Sequence, residues 1–149
     1  MVISGVAEQV PDRIGQLIYL DAMVPDNGQS ARDVCGPLWD QMMAPFVKDS
    51  VMQYPFGKSS SGIPGDLPQP FKTFTEPLKI GNPQVKTIPS AFIVMTKNGE
   101  SNPLNDKMGL DKARARSWKI YSMEGGHYPM REQPAQLVRK LEEVIRSHE

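Results

Sequence analysis

Three short apolar runs limit most strongly what this chain can fold into. They fall within residues 16–21, 91–96 and 118–123, and each is bounded by polar or turn-forming residues. Nearly continuous apolar runs of this length are typical of strands that are buried on both faces of a parallel sheet. Helical patterns separate the later runs, and alternating strands and helices imply a parallel sheet with right-handed crossovers. The sequence therefore predicts an α/β fold with a three-stranded parallel sheet.

Helices are predicted on either side of these strands. Residues 2–10 carry apolar side chains at helical spacing, and Pro11 ends that pattern. Asn102 followed by proline predicts the start of a helix over 103–115, although Gly109 weakens it. Residues 134–147 place their apolar side chains on one face, as a helix on the sheet would.

The middle of the chain, residues 26–88, has a different character. Ten of the fourteen prolines fall between Pro25 and Pro89, and this density argues against regular sheet. Residues 30–55 are compatible with one or two helices, and residues 56–70 have a loop composition. The segment is either a flexible linker or part of a cap over a pocket. We expect one partial domain over 1–149, with 26–88 as a cap-like insert.

Composition excludes several classes of function. The formal net charge is zero, so no basic surface for nucleic acid is indicated. No apolar run approaches the length needed to span a membrane, and no secretory leader is recognisable. Cys35 is the single cysteine, which excludes a disulfide framework and favours a cytoplasmic location. Motifs for a metal or a phosphate-bearing cofactor are absent, so we expect neither.

Functional groups of open parallel sheets collect where the strands end. Asp21 follows the first run, residues 98–101 follow the second, and His127 follows the third after two glycines. We therefore expect these three places to lie at one edge of the sheet.

Four segments carry a family resemblance: 1–14, 17–25, 76–89 and 125–134. In this order they resemble the helix after the nucleophile turn, the next strand, the end of the cap, and the histidine loop with the final helix of the α/β-hydrolase superfamily. The branch they resemble most is that of small esterases related to plant salicylate-type methylesterases and hydroxynitrile lyases. The resemblance implies a partial α/β-hydrolase fold and a carboxylic-ester hydrolase.

The resemblance also implies roles for individual residues. His127 corresponds to the catalytic base, and its acid partner is left open between Glu100, Asp21 and neither residue. The usual place of the acid in the family is the loop predicted here at 97–101, which contains Glu100 but no aspartate. Asn98 of this loop could orient the ring without stabilising an imidazolium. The family's G-x-S-x-G nucleophile turn does not occur in the sequence. We therefore expect the chain alone to be inactive, and the alternative is a binding module or structural remnant without chemistry.

A substrate pocket is the second expectation for the insert. Trp39, Met42, Met43 and Phe46 could line a pocket for a small apolar ester, because methionine adapts to irregular apolar shapes. The same side chains could instead form the core of the cap.

The last expectation concerns self-association. Residues 17–20 of the strand at 16–21 are apolar and include none of the lysines or prolines that usually protect an exposed sheet edge, so the sequence predicts a homodimer through this strand. The alternative is a monomer in which the insert folds over the edge.

Overall fold

The computed structural model describes residues 1–53 and 67–147. Its main sheet contains three parallel strands: β1 (Leu17–Leu20), β5 (Ser90–Lys97) and β7 (Lys119–Glu124). The central strand is β5, which pairs in parallel with β1 on one side and with β7 on the other. The prediction of a three-stranded parallel sheet in an α/β fold is therefore confirmed.

Helices pack on both faces of this sheet, which explains why the central strand β5 is apolar and buried over most of its length. One face packs Tyr19 and Phe92 against Ala7 of α1 (Val2–Gln9) and Leu110. The other face packs Ile93 and Met95 against α8 (Pro134–Arg146), which supplies Leu137 and Val144. The predicted helices at 2–10 and 134–147 are confirmed.

The predicted helix over 103–115 forms with an interruption. It begins as α5 (Pro103–Asn105), continues as a π-helical segment (Asp106–Leu110) and ends as α6 (Asp111–Ala115). Asn102 caps its start, since the side-chain oxygen accepts from the N–H of Leu104 at 2.9 Å. Gly109, the expected weak spot, lies inside the π-helical segment.

The insert contains more regular structure than its prolines suggest. Its helices are α2 (Ala31–Cys35), α3 (Leu38–Met43) and α4 (Lys72–Thr75), with 3-10 turns at Ala44–Phe46 and Pro83–Thr87. Its strands β2 (Val47–Lys48), β3 (Val51–Met52) and β4 (Gln69–Pro70) form a small antiparallel sheet in the order β2-β3-β4.

The expectation that this region holds no sheet was therefore wrong. The small sheet tolerates Pro70 because that residue lies in β4, which is an edge strand. Proline has no N–H to donate, and an edge strand has a side on which no such hydrogen bond is needed. Most of the predicted loop at 56–70 lies outside the described residues.

A hairpin follows the central strand. Residues 98–101 were expected to be a loop, but Glu100–Ser101 forms β6 and pairs antiparallel with the end of β5. Asn98 and Gly99 make the turn with φ values of 56° and 80°. Two left-handed residues are what a tight hairpin turn requires, and asparagine followed by glycine adopts them readily.

The outer side of β1 has no partner among the described residues. In the register with β5, Leu17 and Tyr19 direct their N–H and C=O groups at that strand, and Asp21 directs its N–H there. The N–H and C=O groups of Ile18 and Leu20 therefore lie on the open edge. The adjoining helix α1 also exposes apolar side chains, and these are Val2, Ile3, Val6 and Val10.

Candidate active site

Asp21 and His127 meet at the carboxyl-terminal edge of the main sheet. The Nδ1 atom of His127 lies 2.7 Å from Oδ2 of Asp21, although 106 positions separate the two residues in sequence. Asp21 directly follows β1, and His127 lies in the loop that follows β7, on the other side of the central strand β5. The structure thus brings together two of the three predicted catalytic residues.

Asp21 is held in an unusual backbone conformation. Its φ is 42°, in the left-handed region that aspartate tolerates better than most residues. Its N–H still donates to the carbonyl of Ile93 at 2.8 Å, so the residue continues the ladder with its amide while its carbonyl turns away. The side chain takes over that acceptor role, because Oδ1 lies 3.5 Å from the N–H of Met95.

The Asp21 carboxylate is buried, with only 3% of its side chain exposed. A buried charge is costly unless it is paired and hydrogen-bonded. Oδ2 accepts from Nδ2 of Asn105 at 2.8 Å and faces Nδ1 of His127, while Oδ1 faces the N–H of Met95. The carboxylate therefore has three donors available within the protein.

His127 sits in a loop that glycine makes possible. Gly125 has a φ of 141°, which side chains rarely adopt, and its N–H donates to the carbonyl of Thr96 at 2.9 Å. The N–H of Gly126 donates to a carboxylate oxygen of Glu132 at 3.2 Å, and the Tyr128 ring lies edge-on to the imidazole. The two glycines before His127 thus shape the loop in which the imidazole contacts Asp21.

The imidazole is partly open to solvent, with 52% of its side chain exposed. The hydrogen bond to Asp21 raises the pKa of His127 above its ordinary value, and partial burial opposes this. Because an ionised carboxylate can only accept, the neutral ring would carry its proton on Nδ1 beside Asp21 and keep the lone pair on Nε2. That arrangement can remove a proton from a nearby group and return it later.

A cavity of about 620 Å³ adjoins the pair. Its walls come from the end of β5, the hairpin, α5 and the histidine loop. The lining residues include Asp21, His127 and Asn105 together with Glu100 and Ser101.

Glu100 lines the same cavity but does not contact the imidazole. It lies in β6 opposite Lys97, on the exposed side of the hairpin. Within the described part of the chain, no hydrogen bond or ion pair joins Glu100 to His127. Another glutamate holds the hairpin in place: the carboxylate of Glu124 accepts from the hydroxyl of Thr96 and from the N–H groups of Asn98 and Gly99.

The four residues expected to line a substrate pocket lie elsewhere. Trp39 is buried inside the insert, with its ring 5.2 Å from that of Phe74, whereas Met42 is exposed. None of Trp39, Met42, Met43 and Phe46 lines the cavity at His127. The packing of Trp39 favours its interpretation as cap core, and the pocket role of the four residues stays a prediction.

Two other side chains that could be nucleophiles are occupied or inert. The Ser4 hydroxyl is buried and shares a hydrogen bond of 3.0 Å with the hydroxyl of Tyr19. Burial raises the pKa of the Cys35 thiol to about 11, so the thiol is neutral at physiological pH.

Asn105 is the site residue that sequence reasoning missed. Its place at the end of the first turn of a proline-started helix gives no periodic signal, and its contact with Asp21 spans 84 positions. In the part of the chain that the structure describes, no group of three or more His, Cys, Asp or Glu could hold a metal ion. No helix there is long and apolar enough to cross a membrane.

Solved structures with a similar architecture include an α/β-hydrolase, a pyrethroid hydrolase and a methylesterase. A Paenibacillus extracellular α/β-hydrolase, described as sharing structural and functional homology with tobacco salicylic acid binding protein 2, is 18% identical at a TM-score of 0.69, over 93% of this chain and 64% of its own. A pyrethroid hydrolase from Sphingobium faniae is 16% identical at a TM-score of 0.64, over 95% and 64%. A methylesterase from Arabidopsis is 17% identical at a TM-score of 0.58, over 95% and 65%.

These similarities show the fold. The chain spans less than two thirds of the length of those structures, so it has part of an α/β-hydrolase fold, as predicted. No protein-family model matches the chain, and no curated protein matches its sequence.

Proposed function

We propose that this chain, which has part of an α/β-hydrolase fold, carries the acid–base pair of a carboxylic-ester hydrolase. The observation that carries the proposal is the 2.7 Å contact between Nδ1 of His127 and Oδ2 of Asp21 at the edge where parallel sheets place their functional groups. One structural neighbour is named as a pyrethroid hydrolase and another as a methylesterase, which supports the reaction class.

In this function His127 acts first as a base and then as an acid. Its Nε2 accepts the proton of a hydroxyl nucleophile as that oxygen attacks the ester carbonyl, and later returns the proton to the leaving alcohol. Asp21 keeps the proton of the neutral ring on Nδ1 and stabilises the imidazolium that forms. We assign the acid role to Asp21 rather than Glu100, because Asp21 is the carboxylate in contact with the ring.

We assign no residue of this sequence as the nucleophile. No G-x-S-x-G segment occurs in the 149 residues, and Ser4 is buried against Tyr19. Loss of a nucleophile removes most of the rate enhancement of such an enzyme. The isolated chain is therefore expected to hydrolyse esters no faster than background.

The substrate is proposed to be a small apolar ester. The cavity of about 620 Å³ beside His127 is large enough for such a molecule. The side chains of the insert that we propose for its apolar part are Trp39, Met42, Met43 and Phe46, with the insert as a cap over the site.

A binding module without chemistry is the second candidate. The same cavity favours it, since a pocket with a buried carboxylate and a half-exposed imidazole can hold a ligand without turning it over. Ligand binding that is unaffected by His127→Gln, together with no turnover in any extended form of the chain, would favour this alternative.

We further propose that the chain forms a homodimer through β1 and resides in the cytoplasm. The open edge at Ile18 and Leu20, next to the exposed valines of α1, supports the dimer. The lone Cys35 supports a reducing compartment.

The test of the function is ester turnover with two forms of the protein. The 149-residue chain is expected to show background hydrolysis of p-nitrophenyl acetate. The chain extended at its N-terminus by the nucleophile-bearing segment of an α/β-hydrolase, which supplies a G-x-S-x-G turn, is expected to turn the ester over.

Three substitutions in the extended form identify the residues that matter. His127→Ala and Asp21→Asn are expected to reduce turnover by a factor of about a thousand or more, whereas Glu100→Gln retains it. Turnover that survives His127→Ala would contradict the proposal.

A further inference from the structure

Two donors converge on a single oxygen of the buried acid. Nδ2 of Asn105 lies 2.8 Å from Oδ2 of Asp21, and Nδ1 of His127 lies 2.7 Å from the same oxygen. The other oxygen, Oδ1, has the N–H of Met95 at 3.5 Å, a long and weak hydrogen bond. The orientation of the carboxylate therefore depends largely on the bond from Asn105, since the imidazole is itself half exposed.

Asn105 is attached to a rigid part of the fold. The π-helical segment that follows it packs directly on the chain just after Asp21: the carbonyl of Met108 accepts from the N–H of Val24 at 3.0 Å. At Gly109 the approach is so close that a Cβ atom would lie 2.0 Å from the carbonyl oxygen of Ala22. These contacts fix the distance between the backbone that bears Asn105 and the backbone that bears the acid.

We propose that Asn105 is the positioning residue of the Asp21–His127 pair. It holds Asp21 Oδ2 in the direction from which that oxygen accepts the Nδ1 proton of His127, and so keeps Nε2 unprotonated and available as a base. The role deepens the proposed function, but it acts on the tautomer of the ring and can be measured without any turnover.

The test is the tautomer of neutral His127, read from ¹⁵N NMR of the labelled 149-residue chain. At a pH of about 9, well above the ordinary pKa of histidine, the ring is neutral. The wild-type ring is expected in the Nδ1–H form. Asn105→Ala removes one hydrogen bond to a charged group, and the ratio of the Nδ1–H to the Nε2–H form is expected to fall about tenfold.

Asn102→Ala is the matched control. Asn102 lies three positions earlier, lines the same cavity and caps the same helix, but it bonds to the N–H of Leu104 rather than to Asp21. Its substitution is expected to lower stability and leave the tautomer ratio unchanged. Asn105→Leu, of similar volume and without a donor, replaces Asn105→Ala if the alanine variant folds poorly.

The outcomes separate this role from the function it rests on. A tautomer ratio that stays at the wild-type value in both Asn105 variants overturns the positioning role, as does an equal shift in Asn102→Ala. Failure of the extended chain to hydrolyse esters would contradict the proposed function and leave the tautomer result valid.

Discussion

Replacing Gly109 by alanine is expected to destabilise the protein, although alanine is the better helix former. In an ordinary exposed helix the exchange would add about 1 kcal/mol of stability. Here the new Cβ would lie 2.0 Å from the carbonyl oxygen of Ala22 and 2.8 Å from the ring of Phe92. Neither neighbour is the free end of a flexible side chain, because one is backbone and the other is a fully buried ring of the core.

The size of the effect follows from these distances. Overpacking in a dense core costs about 1 to 3 kcal/mol, and a clash with backbone belongs at the upper end. After the gain in helix propensity, a net loss of about 2 kcal/mol in the free energy of unfolding is expected. For a chain of this length such a loss lowers the melting temperature by about 4 to 8 °C.

The assay is urea unfolding followed by circular dichroism, with Gly15→Ala as the control. A Cβ at Gly15 meets no atom within 4 Å, so that variant should match the wild type within about 0.5 kcal/mol. A Gly109→Ala protein as stable as the wild type would show that the π-helical segment does not pack on Ala22 as described.

Three further predictions concern charge, assembly and reactivity. Because the pKa of His127 is raised, the stability from its pair with Asp21 is fully present below about pH 6.5 and is lost as pH rises through the raised pKa. The free energy of unfolding, measured with urea, should therefore fall between pH 6 and 9 in the wild type, by no more than about 1 kcal/mol for this half-exposed ring, and this component should vanish in Asp21→Asn. The wild type should be dimeric by light scattering at high micromolar concentration and Leu20→Lys monomeric, whereas Val138→Lys, an exposed apolar position on α8, should stay dimeric; a monomeric wild type would contradict edge pairing. The Cys35 thiol, with a pKa of about 11 rather than 9.0, should react with iodoacetamide at pH 7.5 roughly a hundredfold more slowly in the folded than in the urea-unfolded chain; equal rates would refute its burial.

The main sheet could be predicted because its central strand is buried on both faces and β1 is a continuous apolar run. Such strands form nearly continuous apolar runs, and the helices between them carry a separate periodicity. The small sheet of the insert could not be predicted in this way. Its strands β2, β3 and β4 are two residues long, too short to show any alternation of apolar and polar side chains.

The candidate site could be predicted in part, for a related reason. The rule that functional groups lie at strand ends placed Asp21, Glu100 and His127 at one edge, but it could not choose between the two carboxylates. The choice depends on the left-handed backbone at Asp21, which brings its carboxylate to the ring, and on the pairing of Glu100 with Lys97 in the hairpin. Asparagine followed by glycine at 98–99 is a signal for such a hairpin, and this signal is more specific than the loop prediction for 98–101.

The most direct test of the acid–base pair is the titration of His127 by NMR. The chain contains two histidines, so His127→Gln assigns the signals without ambiguity. The hydrogen bond to Asp21 predicts a titration midpoint above the ordinary value near 6.5 in the wild type and in Glu100→Gln, and a lower midpoint in Asp21→Asn. A midpoint that falls in Glu100→Gln and stays raised in Asp21→Asn would contradict the assignment of Asp21 as the partner of the catalytic histidine.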